Sequence, residues 1–436
     1  SIQELGMDFL LEPPFVVRVL TSLFIILLVN KFTRQLFLSV VAGTLTIALW
    51  TGQNLSSLFT ISWGSFSAAN NLFLMVIILQ VIWLSSQMSQ TGVMKRLVDY
   101  ISARVSQRGA MAILPAVIGL LPMPGGAIFS APLVDDLDHD KSIDPVLKAK
   151  INYWFRHVWE YWWPLYPGVL LAVDITGLPI TTLMLLNLPL SFASIFSGYF
   201  FLLRKIKPDT TSRPQDEKRA PAVRLEFLRL IAPIVIIIAS YGIIKTWAPS
   251  VSALNKYLPM IIGILLSQLY LQILHPLNLK SWVGILRSKK TLSLTLLVAF
   301  IRIYGAFVEA QLPDGSLLME HVRLELSSWG IPVIAIIMLI PFISGLTTGI
   351  AIGFVGASFP IVMSIIGNSP DMATLLATSV LAYACGYMGM ILSPVHVCLI
   401  VTSKHFKTSI SDSLVRLLKP SSVIIVVALI MYFLLL

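Results

Sequence analysis

Residues 110–138 read AMAILPAVIGLLPMPGGAIFSAPLVDDLD. The stretch is apolar enough for a membrane interior, yet Pro122, Pro124, Gly125 and Gly126 break it in the middle. Proline lacks a backbone donor and crowds the preceding turn, and the two glycines favour a bend, so no straight helix runs through. Each arm is about half a membrane thick, since ~13 residues at ~1.5 Å rise cover ~20 Å. The pattern predicts a re-entrant helical hairpin that reaches the midplane and returns; the simpler alternative is one kinked span. A second stretch, residues 331–366, is interrupted in the same way by Pro341, Gly345 and Gly349. Whether these stretches return or cross decides on which side every later loop lies.

Composition makes the bilayer the solvent for most of the chain. Of 436 residues, 56% are hydrophobic and 12% charged, about half the charge of a soluble protein, and the mean hydropathy is +0.85. The longest polar stretch, Arg204 to Arg224, is too short to fold alone. Cys385 and Cys398 lie in an apolar segment and are expected to act as small hydrophobes, not as a disulfide or a metal site. The net charge of +10 is read as a topology signal, not as a nucleic-acid surface. The apolar run Pro14 to Asn30 lacks the basic flank and cleavage site of a signal peptide and is expected to be a first span.

A membrane helix needs roughly 20 apolar residues. Spans are expected at 14–30, 35–50, 71–90, 151–175 and 179–203, and again at 226–247, 256–275, 291–312, 372–403 and 419–436. If both interrupted stretches return to the side they came from, 24 of the 31 Lys and Arg residues fall on one side, three on the other, and four (Arg18, Arg156, Arg229 and Arg302) within spans. The positive-inside rule makes the rich side cytoplasmic. Both termini are then outside a multi-pass inner-membrane protein, with the lipid bilayer as its partner.

The order span, span, span, hairpin, span, span occurs twice, and five spans per half invert the second half relative to the first. Tyr153 precedes Pro164 by the same distance as Tyr383 precedes Pro394, and Ser130-Ala-Pro132 is echoed by Ser358-Phe-Pro360. The expected fold is therefore all-α, with ten transmembrane helices and two re-entrant hairpins in two inverted repeats. The first repeat covers 1–205, with scaffold 14–90, transport segments 110–175 and helix 179–203. A cytoplasmic linker covers 206–225. The second repeat covers 226–436, with scaffold 226–312, transport segments 331–403 and helix 419–436. Inverted repeats are the usual frame of alternating-access transporters, whose sites lie near the midplane where the repeats meet.

Four places break the backbone inside the membrane: Leu121 to Gly126, Trp162 to Gly168, Ser344 to Gly349, and Leu392 to Pro394. Backbone freed at that depth must be satisfied by protein or by a polar cavity, and each break presents a helix N-terminus with free N–H groups. Ser393 before Pro394 has the pattern of an N-cap and first helical position, and Thr347 and Thr348 suit a cap at the second tip. Converging ends of this kind cradle an anion, which nominates Pro124, Gly125, Gly126, Ser344, Gly345, Thr347, Thr348 and Ser393 for the site. Arg156, His157 and Glu160 add intramembrane polar groups. Arg156 and Glu160 are expected on one helix face, either as anion ligand and proton carrier or as a self-neutralising pair. His396 faces the same cavity in this reading, and Trp163, within the aromatic run Trp154 to Tyr166, either walls the cavity or packs against lipid. Arg302 and Glu309 are expected as a structural pair or a dimer contact, with a role in transport as the alternative. Asp135, Asp136, Asp138 and Asp140 are expected as solvated or capping charges, with a gate as the alternative.

The function expected is secondary transport of a small organic anion coupled to protons or sodium, with no cofactor. Alternatives are an intramembrane lipid-handling protein or enzyme, or a structural subunit of a membrane complex. The sequence has no HExxH, no Gly-x-Ser-x-Gly elbow and no nucleotide-binding loop, so an enzyme is not expected.

Leu121-Pro-Met-Pro-Gly-Gly126 and the run Asn152-Tyr-Trp-Phe-Arg-His-Val-Trp-Glu-Tyr-Trp-Trp-Pro164 resemble those of an uncharacterised prokaryotic integral-membrane family. The architecture over nearly the whole chain resembles the ion transporter superfamily, which includes gluconate permeases, divalent-anion/sodium symporters and the membrane subunits of TRAP transporters. That resemblance implies an elevator mechanism and a homodimer formed by the scaffold. Sodium/dicarboxylate members carry Ser-Asn-Thr at both hairpin tips; this chain has Met-Pro-Gly-Gly and Ser-Gly-Leu-Thr-Thr, so the resemblance does not carry over their ion or substrate.

Overall fold

A computed structural model describes residues 13–122, 126–206, 220–367 and 369–436. Among these the chain is all helix, apart from one isolated bridge between Gln311 and Leu317. Seven helical stretches are long and apolar enough to cross a membrane, or eight if one pair bent by 116° is counted as a single span. The protein is a multi-pass, all-α membrane protein.

The helices of the first half are α1 (Phe15–Thr33), α2 (Leu36–Trp50), α3 (Leu55–Ser67), α4 (Ala69–Gln90), α5 (Val93–Ser102), α6 (Gln107–Gly119), α7 (Ala127–Asp136), α8 (Pro145–Arg156), α9 (Pro167–Thr176) and α10 (Ile180–Phe201). Those of the second half are α11 (Ala220–Trp247), α12 (Pro249–Leu254), α13 (Leu258–Leu274), α14 (Leu279–Leu286), α15 (Lys289–Val308), α16 (Leu318–Ser328), α17 (Val333–Thr348), α18 (Ala351–Ile365), α19 (Met372–Ile391), α20 (Val397–His405) and α21 (Ile410–Leu435). The expected spans at 151–175 and 372–403 are each two helices. Both interrupted stretches are also two helices that pack on each other, α6 on α7 and α17 on α18. Gly349 makes the second break in left-handed backbone, φ 64°, which glycine adopts without steric cost.

Short helices α3, α5, α14 and α16 lie between the longer ones, where no helix was expected. α5 shows why: Val93, Met94, Leu97 and Val98 are buried while Lys95 and Arg96 face out, the spacing of a half-buried surface helix. α16 reaches across to α1, where the Glu325 carboxylate accepts the N–H groups of Phe15 and Val16 at 2.9 and 2.8 Å. It thereby caps a helix start that its own N-cap, Pro14, leaves uncapped.

The helices form two sets, joined where α15 meets α18. In one, α1 lies on α2, α11 on α13, and α15 meets α2 and α4, while α4 also meets α13. In the other, α6 lies on α8, α17 on α19, α9 on α18 and α20 on α7. The core runs through the second group: 83% of the best window of α19 is buried, against 22% in α11 and 28% in α21, which leaves the latter two faces for lipid. Helices α10 and α21 have their main partners in the second set: they pack on each other and on α8 and α19. Ser194 and Asn187 of α10 accept from Trp154 and donate to Tyr161 respectively, so polar bonds as well as apolar area hold α10 there.

Candidate functional site

Helix α8 stops at Arg156, and His157 to Tyr166 form a chain of turns, so the break begins earlier than the expected Trp162. Arg156 and Glu160 therefore do not share a helix face, which corrects the i,i+4 expectation. Trp159, Trp163 and Tyr166 are turned toward α6: the two indole N–H groups donate to Ala116 O (2.8 Å) and Leu120 O (3.0 Å), and the Tyr166 hydroxyl donates to Gly119 O. These are the unpaired carbonyls of the last turn of α6. Trp163, a candidate for substrate contact, thus closes the end of a helix.

Carbonyls of the break are bound by donors from two other helices, α10 and α19. His157 O accepts from Tyr387 (2.7 Å), Glu160 O from Tyr383 (2.8 Å), Val158 O from Ser191, and Tyr161 O from Asn187 (3.0 Å). In return Tyr153 of α8 donates to Ile391 O at the end of α19, 2.9 Å. Tyr153 and Tyr383, the residues echoed in the sequence, hold each other's broken helix.

Around this frame lies a cavity of about 280 Å³. Its polar wall is Arg156, His157 and Glu160 from the first break and His396 and Cys398 from the start of α20. The first residues of α9 (Pro167, Gly168) and of α18 (Ala351, Ile352) also border it, and so do Ile82 of α4 and Leu294 of α15 from the other helix group. The N-termini of α9, α18 and α20 carry no side-chain cap, so free N–H groups surround the cavity. Gly126 precedes α7, and a Cβ there would lie 2.3 Å from Arg156 Nη2, so the guanidinium rests on the backbone at Gly126. The two imidazoles meet with Nε2 atoms 3.1 Å apart. His157 Nδ1 bonds Tyr153 O, which only accepts, so Nδ1 carries a proton. Glu160 Oε1 is 3.9 Å from His157 Nε2.

Of the expected site residues, Arg156, His157, Glu160 and His396 come together at the cavity and Gly126 lies against Arg156. Pro124 and Gly125 lie outside the described residues. Ser344 is buried in α17, and Gly345 makes the α17–α19 contact, where a Cβ would stand 2.1 Å from Gly386 O. Thr347 and Thr348 do not cap α18. They end α17, with hydroxyls donated to Ile343 O and Ser344 O, because a helical threonine reaches its own i−4 carbonyl first. Ser393 does not begin α20 either: its hydroxyl donates to Leu346 O (2.6 Å), closing the end of α17, and His396 is the N-cap residue.

Two residues gain roles the sequence did not suggest. Cys398, expected as filler, points its sulfur at His157 and His396, all three donor atoms within 4.8 Å of one another; its place two residues after His396 and beyond Pro394 was the available signal. Asp174 of α9 is buried and meets Arg302 Nε (2.9 Å), Lys256 Nζ (3.2 Å) and the Tyr257 hydroxyl (2.9 Å). Arg302 is therefore bound across helices, where Glu309 of its own helix was the expected partner.

At the opposite end, Lys148 binds Asp135 (2.7 Å) and Asp138 (2.9 Å), and Asp138 also accepts the N–H groups of Ser142 and Ile143. Asp136 and Asp140 are exposed, as expected of solvated charges, whereas Asp138 is buried and bonds loop N–H groups, not a helix start. The Lys148 hydrogen bond keeps the Asp135 carboxyl below the usual carboxylate range. Burial acts to lower Lys148, but its bonds to Asp135 and Asp138 outweigh that and hold it above its ordinary value.

The model of a family described as "Protein of unknown function (DUF401)" matches residues 16–435. No curated protein matches the chain.

Proposed function

The chain belongs to the DUF401 family, and we propose that it is a secondary active transporter that moves a small organic anion across the inner membrane by an elevator movement. The observation that carries this reading is the cavity between the two helix groups: a guanidinium and three uncapped helix N-termini on one side, Ile82 and Leu294 on the other. Helix ends of this kind favour an anion, and a site at the seam of two bodies can be carried past one by the other. In this reading α6–α7 and α17–α18 are re-entrant hairpins, α8–α9 and α19–α20 are broken spans, and they move with α10 and α21. The remaining long helices form the scaffold, through which two copies pair.

Reciprocal packing supports an inverted repeat: α9 on α18 answers α20 on α7, α15 on α2 answers α4 on α13, and α16 on α1 answers α5 on α11. With both termini outside, Ile82 lies eight residues before the cytoplasmic end of α4 and Leu294 five after the cytoplasmic start of α15. The cavity then meets the scaffold on the cytoplasmic side of its middle, the arrangement of an inward-facing state. Glu160 and His157 supply a proton route; sodium on backbone carbonyls is the competing coupling ion.

Counterflow in proteoliposomes against a panel of carboxylates, phosphates and sulfonates tests the proposal. One class should exchange and also raise the melting temperature, and Arg156→Gln should remove both effects. If no member exchanges or stabilises, transport of an organic anion is wrong for this chain.

A further inference from the structure

We propose that His157, His396 and Cys398 form a binding site for a borderline-soft transition-metal ion of the Zn²⁺ type, with a further coordination position toward the cavity. The three donors come from two segments that meet only in the folded chain: His157 from the break after α8, His396 and Cys398 from the cap and first turn of α20. All three residues are buried, and their donor atoms lie within 4.8 Å of one another. The two Nε2 atoms are 3.1 Å apart; two nitrogens at ~2.0–2.1 Å from a tetrahedral Zn²⁺ stand ~3.3 Å apart. His157 is already oriented as a ligand. Its Nδ1–H is held by Tyr153 O, which turns Nε2 toward His396, the carbonyl–histidine arrangement that fixes ligating imidazoles. Tyr153 is in turn anchored on Ile391 O.

The bland alternative is a hydrogen bond between two imidazoles with a thiol packed beside them. That arrangement places one proton between the two Nε2 atoms and leaves the Cys398 sulfur as a neutral partner of both imidazoles. A cation uses both Nε2 lone pairs and the thiolate at once. The donor set, two imidazoles and one sulfur, suits Zn²⁺ and not the hard ions Na⁺, Mg²⁺ or Ca²⁺, which take oxygen. Loading is balanced as Cys398–SH plus M²⁺ giving a Cys398–S–M bond and one proton released to solvent. Arg156 stands nearby as an opposing cation, while the thiolate and the Glu160 carboxylate, 3.9 Å from His157 Nε2, offset it. With M²⁺ bound, these charges sum to one positive, which a singly charged anion in the cavity neutralises.

The site is independent of whether the chain transports anything, and its test uses no transport assay. The intact protein, purified in detergent with its thiols reduced and stripped by a chelator, is titrated with Zn²⁺ and, separately, with Co²⁺. About one Zn²⁺ per chain should bind with release of about one proton, and Co²⁺ should produce a thiolate-to-cobalt charge-transfer band. Cys398→Ser and His396→Gln should weaken Zn²⁺ by at least about tenfold and Cys398→Ser should remove the band, whereas Cys385→Ser, in α19 and outside the cluster, should change neither. The wild-type cobalt spectrum reads the ligand set without any variant, so a misfolded mutant cannot decide the matter. Sub-stoichiometric Zn²⁺, or Co²⁺ bound without a thiolate band, overturns the proposal.

Discussion

Oδ2 of Asp174 lies 2.9 Å from Nε of Arg302, a contact that ties α9, the helix after the break that follows α8, to the middle of the long helix α15. The same carboxylate takes Lys256 and the Tyr257 hydroxyl on its other oxygen. In an elevator this is a latch, because α9 would move and α15 and the Lys256 loop would not. A buried carboxylate among three donors also neutralises two cations that would otherwise repel each other.

Asp174→Asn should therefore lower the apparent melting temperature, at a cost of roughly 2–3 kcal/mol; Arg302 and Lys256 are partly wet, which keeps this below the value for a fully buried pair. If the latch reading holds, the same variant should exchange substrate faster per folded molecule. Asp174→Asn and Arg302→Gln should be non-additive in a double-mutant cycle. Additive losses of melting temperature would show that the two side chains do not act on each other.

The tyrosines that hold the broken span offer a cleaner stability test. Tyr387→Phe and Tyr383→Phe each delete one hydroxyl: among the described residues, the first leaves His157 O with only the Glu160 N–H at 3.3 Å, and the second strands Glu160 O. Each should cost about 1–3 kcal/mol, read as a fall in thermal stability in detergent. A phenylalanine variant as stable as wild type would mean that water reaches the break and replaces the hydroxyl.

The clasp of Lys148 with Asp135 and Asp138 has a defined pH window. Asp135 is depressed in the folded protein, so its contribution is present above the unfolded carboxylate value near ~3.9 and is lost as pH falls through the lower folded value. Lys148 is raised, so its contribution is present below ~10.4 and is lost only as pH rises through the higher folded value. The clasp should thus be indifferent to pH between about 5 and 9. In a His405→Gln background, which removes the imidazole 3.5 Å from Asp135, Lys148→Met should lower stability by the same amount at pH 5.5 and pH 8.5; a pH-dependent difference across that range would place the titration elsewhere.

Much of this arrangement is legible in the sequence because membrane helices announce themselves by apolar length and breaks by proline and glycine. Pro122, Gly349 and Pro394 marked helix ends, and Arg156, His157, Glu160 and His396 stood out as polar groups in apolar surroundings. What local pattern does not encode is which helix a side chain turns toward. Trp163 and Ser393 looked like site residues by position, yet both cap the end of a neighbouring helix, a three-dimensional need with no fixed spacing. Gly345 looked like part of a hairpin tip, but the backbone of α19 passes against it. Asp174 is a single acid in an apolar helix, 128 residues before its partner Arg302. The surface helices α5 and α16 were missed because a half-buried amphipathic turn has neither the length nor the uniform hydropathy of a span.

The sharpest test of coupling is Glu160. Its carboxyl oxygen is 3.9 Å from His157 Nε2, inside a cavity that also holds the Arg156 guanidinium, His396, Cys398 and Tyr166. Bringing an anion into that space adds negative charge beside a carboxylate, and a nearby negative charge raises a carboxylate's affinity for a proton. Substrate and proton would then load together, and release of one would favour release of the other. Glu160→Gln mimics the protonated carboxyl, so it should leave substrate binding and counterflow close to wild type while abolishing accumulation driven by a pH gradient. Arg156→Lys should keep one positive charge but weaken binding, because the planar fork that matches a carboxylate or phosphate is lost. Both are read in the same proteoliposomes, with and without an imposed gradient. If Glu160→Gln still accumulates substrate in response to pH, the carboxylate is not the proton carrier. The coupling then falls to the His157–His396 pair, or, if a sodium gradient drives uptake in its place, to carbonyls at the helix breaks.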